Sequence, residues 1–151
     1  IKEGVLIKNP DVEISALRNI HPPIDNSYAF RFKLGKKTIV FSGDTAYFPS
    51  LATFSTGADY LVHEVMYIPA VDDIAKRRPN ASKLIASIKS HHTSAEDVGK
   101  IAQAASIKNL ILNHFVPPDD KSLTDQKWLD AIKSTFSGNI IIGKDLLEFE
   151  I

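Results

Sequence analysis

Up to Phe41 the sequence is written in short apolar runs cut by turn residues, and beyond Asp44 each apolar run alternates with a longer helical stretch. "EGVLIKN" and "VEISALRNI" are separated by Asn9-Pro10-Asp11. "SYAFRFKL", residues 27–34, alternates large with small or charged side chains before Gly35-Lys36-Lys37 turns it into "TIVFSG". Runs spaced in this way predict antiparallel strands joined as a meander. After Asp44 a short helix follows Pro49, a residue suited to a first helical turn. "ADYLVHEV" reads as a strand, and residues 69–90 as helical with a break near Pro79-Asn80. Thr93 and Ser94 each begin a capping box, with Glu96 and Asp97, ahead of a helix whose apolar face is Val98, Ile101, Ala102 and Ala105. "NLILN" reads as a buried strand ending at His114. Residues 124–136 form an amphipathic helix with Trp128, Leu129, Ile132 and Phe136 inward, and "NIIIG" and "LLEFEI" are closing strands. The layout is α/β, a mixed sheet with helices on one face. Its early strands then require a second sheet or another chain as cover.

At 151 residues the chain suffices for a single domain, residues 1–151, with a core of its own. Eighteen basic and eighteen acidic residues leave no broad positive field of the kind that binds nucleic acid. The run Lys76-Arg77-Arg78 reads as a solvated helix end. The absence of cysteine excludes disulfides, thiolate metal sites and cysteine nucleophiles. No apolar run approaches membrane-spanning length. Ile1 stands where a complete chain would carry Met, so the chain is expected to begin upstream.

Five histidines are present, His21, His63, His91, His92 and His114. His21, His63 and His114 lie at or near the ends of apolar runs, and Asp44 lies in the same kind of place in "VFSGDTAY". Ligands bind α/β sheets at the carboxyl ends of strands. Imidazole and carboxylate held on rigid strand ends suit zinc or a similar divalent ion. His92 precedes the capped helix. A neutral imidazole there can donate to an oxyanion or pass a proton to a leaving group, or it is a plain loop residue. His91, its neighbour in sequence, is expected to face elsewhere.

"VFSGDTAY", "GADYLVHEVMY", "HHTSAEDVGKIA" and "KNLILNHFVP", in that order and spacing, resemble the C-terminal half of a metallo-β-lactamase-fold hydrolase, and within it the ribonuclease Z/arylsulfatase-like branch. The resemblance implies half of a four-layer αββα sandwich and a site with two zinc ions. It implies that Asp44 is the bridging carboxylate, His114 the last histidine ligand and His21, in "NIHPPIDNSYAFRF", the mid-chain histidine ligand. It implies that His92 is the catalytic histidine, and that Glu64, with His63, orients ligands or relays a proton. The family's leading H-x-H-x-D-H loop is absent, and the spacing of His91 and His92 does not replace it. The chain is therefore expected to be the C-terminal half of a longer enzyme, inactive alone, that pairs with its missing N-terminal half or associates as a homo-oligomer.

The implied reaction is attack by a metal-bound hydroxide on a phosphodiester, a sulfate ester or a carboxylic ester. Ribonuclease Z relatives that process transfer RNA carry a protruding arm between the two residues that match His21 and Asp44, an interval with room here for two strands only. "HEVM" also departs from their "HEAT". A small-molecule ester is thus the expected substrate and nucleic acid is disfavoured. The alternatives are a ribonuclease Z-type RNA 3'-end endonuclease and a non-catalytic half-fold that pairs through its open sheet.

Overall fold

The computed structural model describes residues 1–78, 80–118, 120–148 and 150. Four strands come first, β1 (Gly4–Lys8), β2 (Val12–Arg18), β3 (Tyr28–Leu34) and β4 (Lys37–Phe41). They form the predicted antiparallel meander. The Asn9 side chain makes the first turn by accepting from the backbone N–H groups of Asp11 and Val12, each at 2.9 Å. Gly35, at φ +57°, makes the two-residue hairpin between Leu34 and Lys37.

The chain then alternates: α1 (Ser50–Ser55), β5 (Tyr60–Met66), α2 (Ile68–Arg77), α3 (Ser82–His91), α4 (Ala95–Ala104), β6 (Asn109–Val116), α5 (Asp125–Lys133) and β7 (Asn139–Ile142). β4, β5, β6 and β7 pair in parallel, so one seven-stranded mixed sheet runs in sequence order from β1 to β7. The predicted closing strand "LLEFEI" does not form among the described residues. Leu146 and Leu147 sit in a turn, with Leu146 at φ +62°, and Phe149 and Ile151 lie outside the described residues.

One face of the sheet is closed by helices. Val40, Leu61, Val65, Leu110 and Leu112 pack against Leu51 of α1, Val98, Ile101 and Ala102 of α4, and Trp128 and Ile132 of α5. All but Ile101 and Trp128 are completely buried, and each large side chain contributes about 1.5–3 kcal/mol of transfer free energy. Leu129, predicted inward, is only half-buried. A smaller cluster of Met66, Val71, Ala81, Ile85 and Val116 seats α2 and α3 on the carboxyl ends of β5 and β6. The break between those two helices falls where the Pro79-Asn80 signal predicted it; Pro79 itself lies outside the described residues.

No described element covers the opposite face. Strand register puts two apolar rows on it, Ile7–Ile14–Phe32–Ile39–Tyr60 and Ala16–Phe30–Phe41–Val62–Ile111–Ile141. Phe41 is 41% exposed, and Ile14, Phe30, Phe32, Ile39, Val62 and Ile141 are half-buried. Its aromatic rings pack on one another, Phe30 on Phe32 and Phe32 on Phe41.

Candidate metal and catalytic site

At the carboxyl edge of β4, β5 and β6 three loops converge, each tied to the next. Gly43 turns the chain at φ +60°, and a Cβ there would lie 2.9 Å from the Tyr28 carbonyl and 3.0 Å from Asn19 Nδ2. Only glycine fits both the angle and the space. The Asn19 amide donates to the Ser42 carbonyl at 2.9 Å, and the Ile20 N–H donates to Thr45 Oγ1 at 3.1 Å. These bonds lock the loop carrying His21 to the loop carrying Asp44.

Glu64, 1% exposed, points out of β5 beneath both. Its Oε1 accepts from the Thr93 N–H at 2.7 Å and, weakly, from the Thr45 N–H at 3.4 Å. Thr93 Oγ1 donates to the Thr45 carbonyl at 2.6 Å, and the Met66 N–H donates to the Thr93 carbonyl at 2.8 Å. The segment carrying His92 is thereby stitched alongside the end of β5. Of the two predicted capping residues only Ser94 caps the helix: its Oγ accepts from the Asp97 N–H at 3.2 Å, while Thr93 is spent on Thr45. Glu64 Oε2 and His92 Nδ1 lie 3.3 Å apart, with those side chains 1% and 9% exposed.

His114 does not end its strand as predicted; β6 runs on to Val116. Register jumps there, with Glu64 opposite Asn113 and Val65 opposite Phe115. His114 is the extra residue of a bulge, at φ +43°. A bulge re-aims a side chain, and this one sends His114 Nε2 to within 3.3 Å of Asp44 Oδ2, both side chains being nearly half exposed. The rings of His114 and His92 are 5.3 Å apart, and those of His92 and His21 5.9 Å. His21, Asp44, Glu64, His92 and His114 thus form one continuous cluster.

Two expectations change. His63 lies on the other face of β5, fully buried, with its Nδ1–H donating to the Glu64 carbonyl at 2.6 Å. Burial lowers its pKa, offset in part by Glu64, so it is a neutral core residue. It sits away from the cluster that it was expected to serve. His91, expected to face elsewhere, is in the cluster, its ring 4.8 Å from His21 and 4.5 Å from His92. Neighbours diverge within a strand, but His91 ends α3 while His92 is already extended, at φ −125° and ψ 154°. The change of backbone lets adjacent rings share a site. Desolvation first, then His92 and His21, lower the pKa of His91.

The donor set suits a divalent ion of zinc's kind: imidazoles and a carboxylate on anchored loops. The Nδ1 atoms of His21 and His91 are shielded from solvent and lack hydrogen-bond partners, as nitrogens that serve a cation would.

No protein-family model matches the chain. It is 30% identical over 131 residues to ribonuclease Z of Mycobacterium tuberculosis, covering 87% of this chain and 45% of that one. Among solved structures it resembles the metallo-β-lactamase fold protein YhfI from Bacillus subtilis, with a TM-score of 0.70, 26% identity, and 93% of this chain and 50% of that one covered. It also resembles the short form of human tRNase Z, with a TM-score of 0.60, 19% identity, and 95% of this chain and 43% of that one covered. The chain has the metallo-β-lactamase fold, and ribonuclease Z is among the proteins it resembles in sequence. It spans about half the length of the curated relatives it matches.

Proposed function

We propose that these residues are the C-terminal half of a metal-dependent hydrolase that cleaves a phosphodiester. His21, Asp44 and His114 would hold two divalent ions together with ligands from outside the 151 residues. The observation that carries this reading is the pairing of Asp44 with His114 on an exposed edge, beside the buried Glu64–His92 pair. The open apolar face, together with relatives about twice as long, supports a second sheet as its cover. Bound at this edge, the ions would supply a nucleophile at neutral pH and positive charge for the substrate oxygens. Asp44 and His114 would fix the position of the reacting group. Glu64, anchored by the Thr93 and Thr45 amides, would orient His92, whose other ring nitrogen would protonate the leaving oxygen.

Among phosphodiester, sulfate ester and carboxylic ester, the ribonuclease Z relatives favour the phosphodiester. The same likeness supports RNA 3'-end cleavage as a second reading. The balanced charge and the short interval from His21 to Asp44 favour a small diester instead. A protein carrying the preceding half, assayed for metal content and turnover of bis(4-nitrophenyl) phosphate, 4-nitrophenyl sulfate, 4-nitrophenyl acetate and a precursor transfer RNA, tests both. Preference for the small diester is the expected result. Transfer RNA cleavage with small esters untouched would replace it with the second reading.

A further inference from the structure

His91 has no part in the chemistry above, yet it is the centre of the densest group of imidazoles in the described residues. One ring nitrogen each of His21, His91 and His92 lies within 4.8 Å of the other two. The His91 ring stands 4.8 Å from that of His21 at 48°, and 4.5 Å from that of His92 at 63°. The Nδ1 atoms of His21 and His91 are sheltered and without partners, and that of His92 faces Glu64 Oε2 at 3.3 Å, which leaves its other ring nitrogen for a ligand. Sheltered polar atoms left without a partner are costly, and neighbouring imidazole nitrogens call for a common one. A neutral imidazole nitrogen is a lone-pair donor, so a single cation can satisfy several at once.

The geometry suits one. Three imidazoles and a water make a tetrahedral site, and zinc–nitrogen bonds of about 2.0–2.1 Å place the ligand nitrogens about 3.4 Å apart. The backbones are held already: His21 by the Ile20–Thr45 and Ala46–Ile20 bonds, His92 through Thr93 and Glu64, and His91 by the last turn of α3.

We propose that His21, His91 and His92 form a site for one transition cation of the zinc type, with His91 as a ligand, which competes for His21 with the ligand set of Asp44 and His114. An ion held there occupies the His92 imidazole. In the hydrolase this site is therefore inhibitory when metal is in excess, a consequence that rests on the reading above. Binding itself does not, because it needs only this chain.

The test is titration of the metal-free 151-residue chain with Co2+, read by calorimetry and by the visible absorption of tetrahedral cobalt. One equivalent is expected to bind with that absorption. Loss even of an outer partner of a metal ligand costs about 10–100-fold in affinity, so His91→Asn and His91→Gln should each weaken binding at least about tenfold. Asp44→Asn should leave it unchanged. Absence of binding, or His91 variants that bind like the parent, overturns the proposal. If Asp44→Asn abolishes binding while the His91 variants retain it, the hydrolase ligand set is supported and this site is not. Should either His91 variant lose its fold by circular dichroism, the ring proton signals of His91 in the parent chain decide. Large paramagnetic shifts with Co2+ support the site, and unshifted signals refute it.

Discussion

Two histidine–carboxylate pairs sit side by side at the carboxyl edge of the sheet, and each spans 3.3 Å. They differ in everything else. Glu64 and His92 are almost completely enclosed, and backbone amides of two other loops close on the acid. Asp44 and His114 are nearly half open, and the second owes its aim to a bulge at positive φ. Equal distance therefore does not mean equal role. The enclosed pair is built into the fold and can orient a group or move a proton. The open pair contributes little to the fold and is free to meet an ion or a substrate.

The largest expected effect separates the two pairs by function. In the completed hydrolase, with two metal ions supplied per chain and none in excess, His92→Ala should retain metal and lose about 100-fold to 10,000-fold in turnover, or about 3–5 kcal/mol. Asp44→Ala should lose metal and activity together. The His92 defect should shrink with nitrophenolate leaving groups, which depart without a proton. Metal analysis beside turnover on good and poor leaving groups checks this. Metal lost from His92→Ala in proportion to activity would make the enclosed pair a ligand pair and dissolve the comparison.

The next effect is on the fold. Glu64→Ala strands the buried Thr93 N–H, which costs about 1–3 kcal/mol. Asp44→Asn alters an exposed side chain, where changes stay within about 0.5 kcal/mol. Urea unfolding of the two variants should give a clearly lowered midpoint for the first alone. Equal midpoints would mean that Glu64 is not a structural tie.

How much of this contrast the sequence could reveal depends on what fixes each residue. Strand alternation and the Gly43-Asp44 turn are local, so the meander, the parallel half and the place of Asp44 were legible. So was the Ser94 cap, although not which of the two candidate residues would cap the helix, because that hinges on Thr93 reaching Thr45 forty-eight residues away. The bulge at His114 was invisible, since an extra residue shows only when two strands are aligned. His63 and Glu64 look equivalent in sequence, and only the face of β5 on which each lands separates them. His91 was misjudged because a rule for neighbours in a strand does not hold where a helix ends. "LLEFEI" alternates like a strand, but Leu146 stands at φ +62° in a turn, which breaks the extended backbone at its start.

Burial without a carboxylate at the ring is a third case, and it makes the comparison a matter of pH. His63 is enclosed in the helix-covered core, and desolvation lowers its pKa. The unfolded chain, with an ordinary value of about 6.5, then takes up a proton that the folded chain refuses. Stability from this group is complete above about pH 6.5 and falls away as pH drops toward the lowered folded value. His91 shifts in the same direction and adds to the slope. Each group can contribute at most about 1.4 kcal/mol per pH unit. Urea midpoints from about pH 7 to about pH 5 should fall, and His63→Phe should flatten that fall. An unchanged slope in His63→Phe would assign the effect to His91 instead.

The smallest effect concerns the coupling within the open pair. Its atoms are as close as those of the enclosed pair, so a count of contacts would rate the two alike. But exposed ion pairs are worth about 0.2–1 kcal/mol, because water competes for both partners and salt screens what remains. A double-mutant cycle on the metal-free chain, with Asp44→Asn, His114→Gln and both together, should give a coupling of less than about 1 kcal/mol at acidic pH. Added salt should shrink it further. The same cycle with Glu64→Gln and His92→Gln should respond weakly to salt, because no ions reach the enclosed pair. If the Asp44–His114 coupling proves large and insensitive to salt, the positive φ of His114 is held in place by the pair itself. The bulge would then be a product of the site rather than the device that aims it.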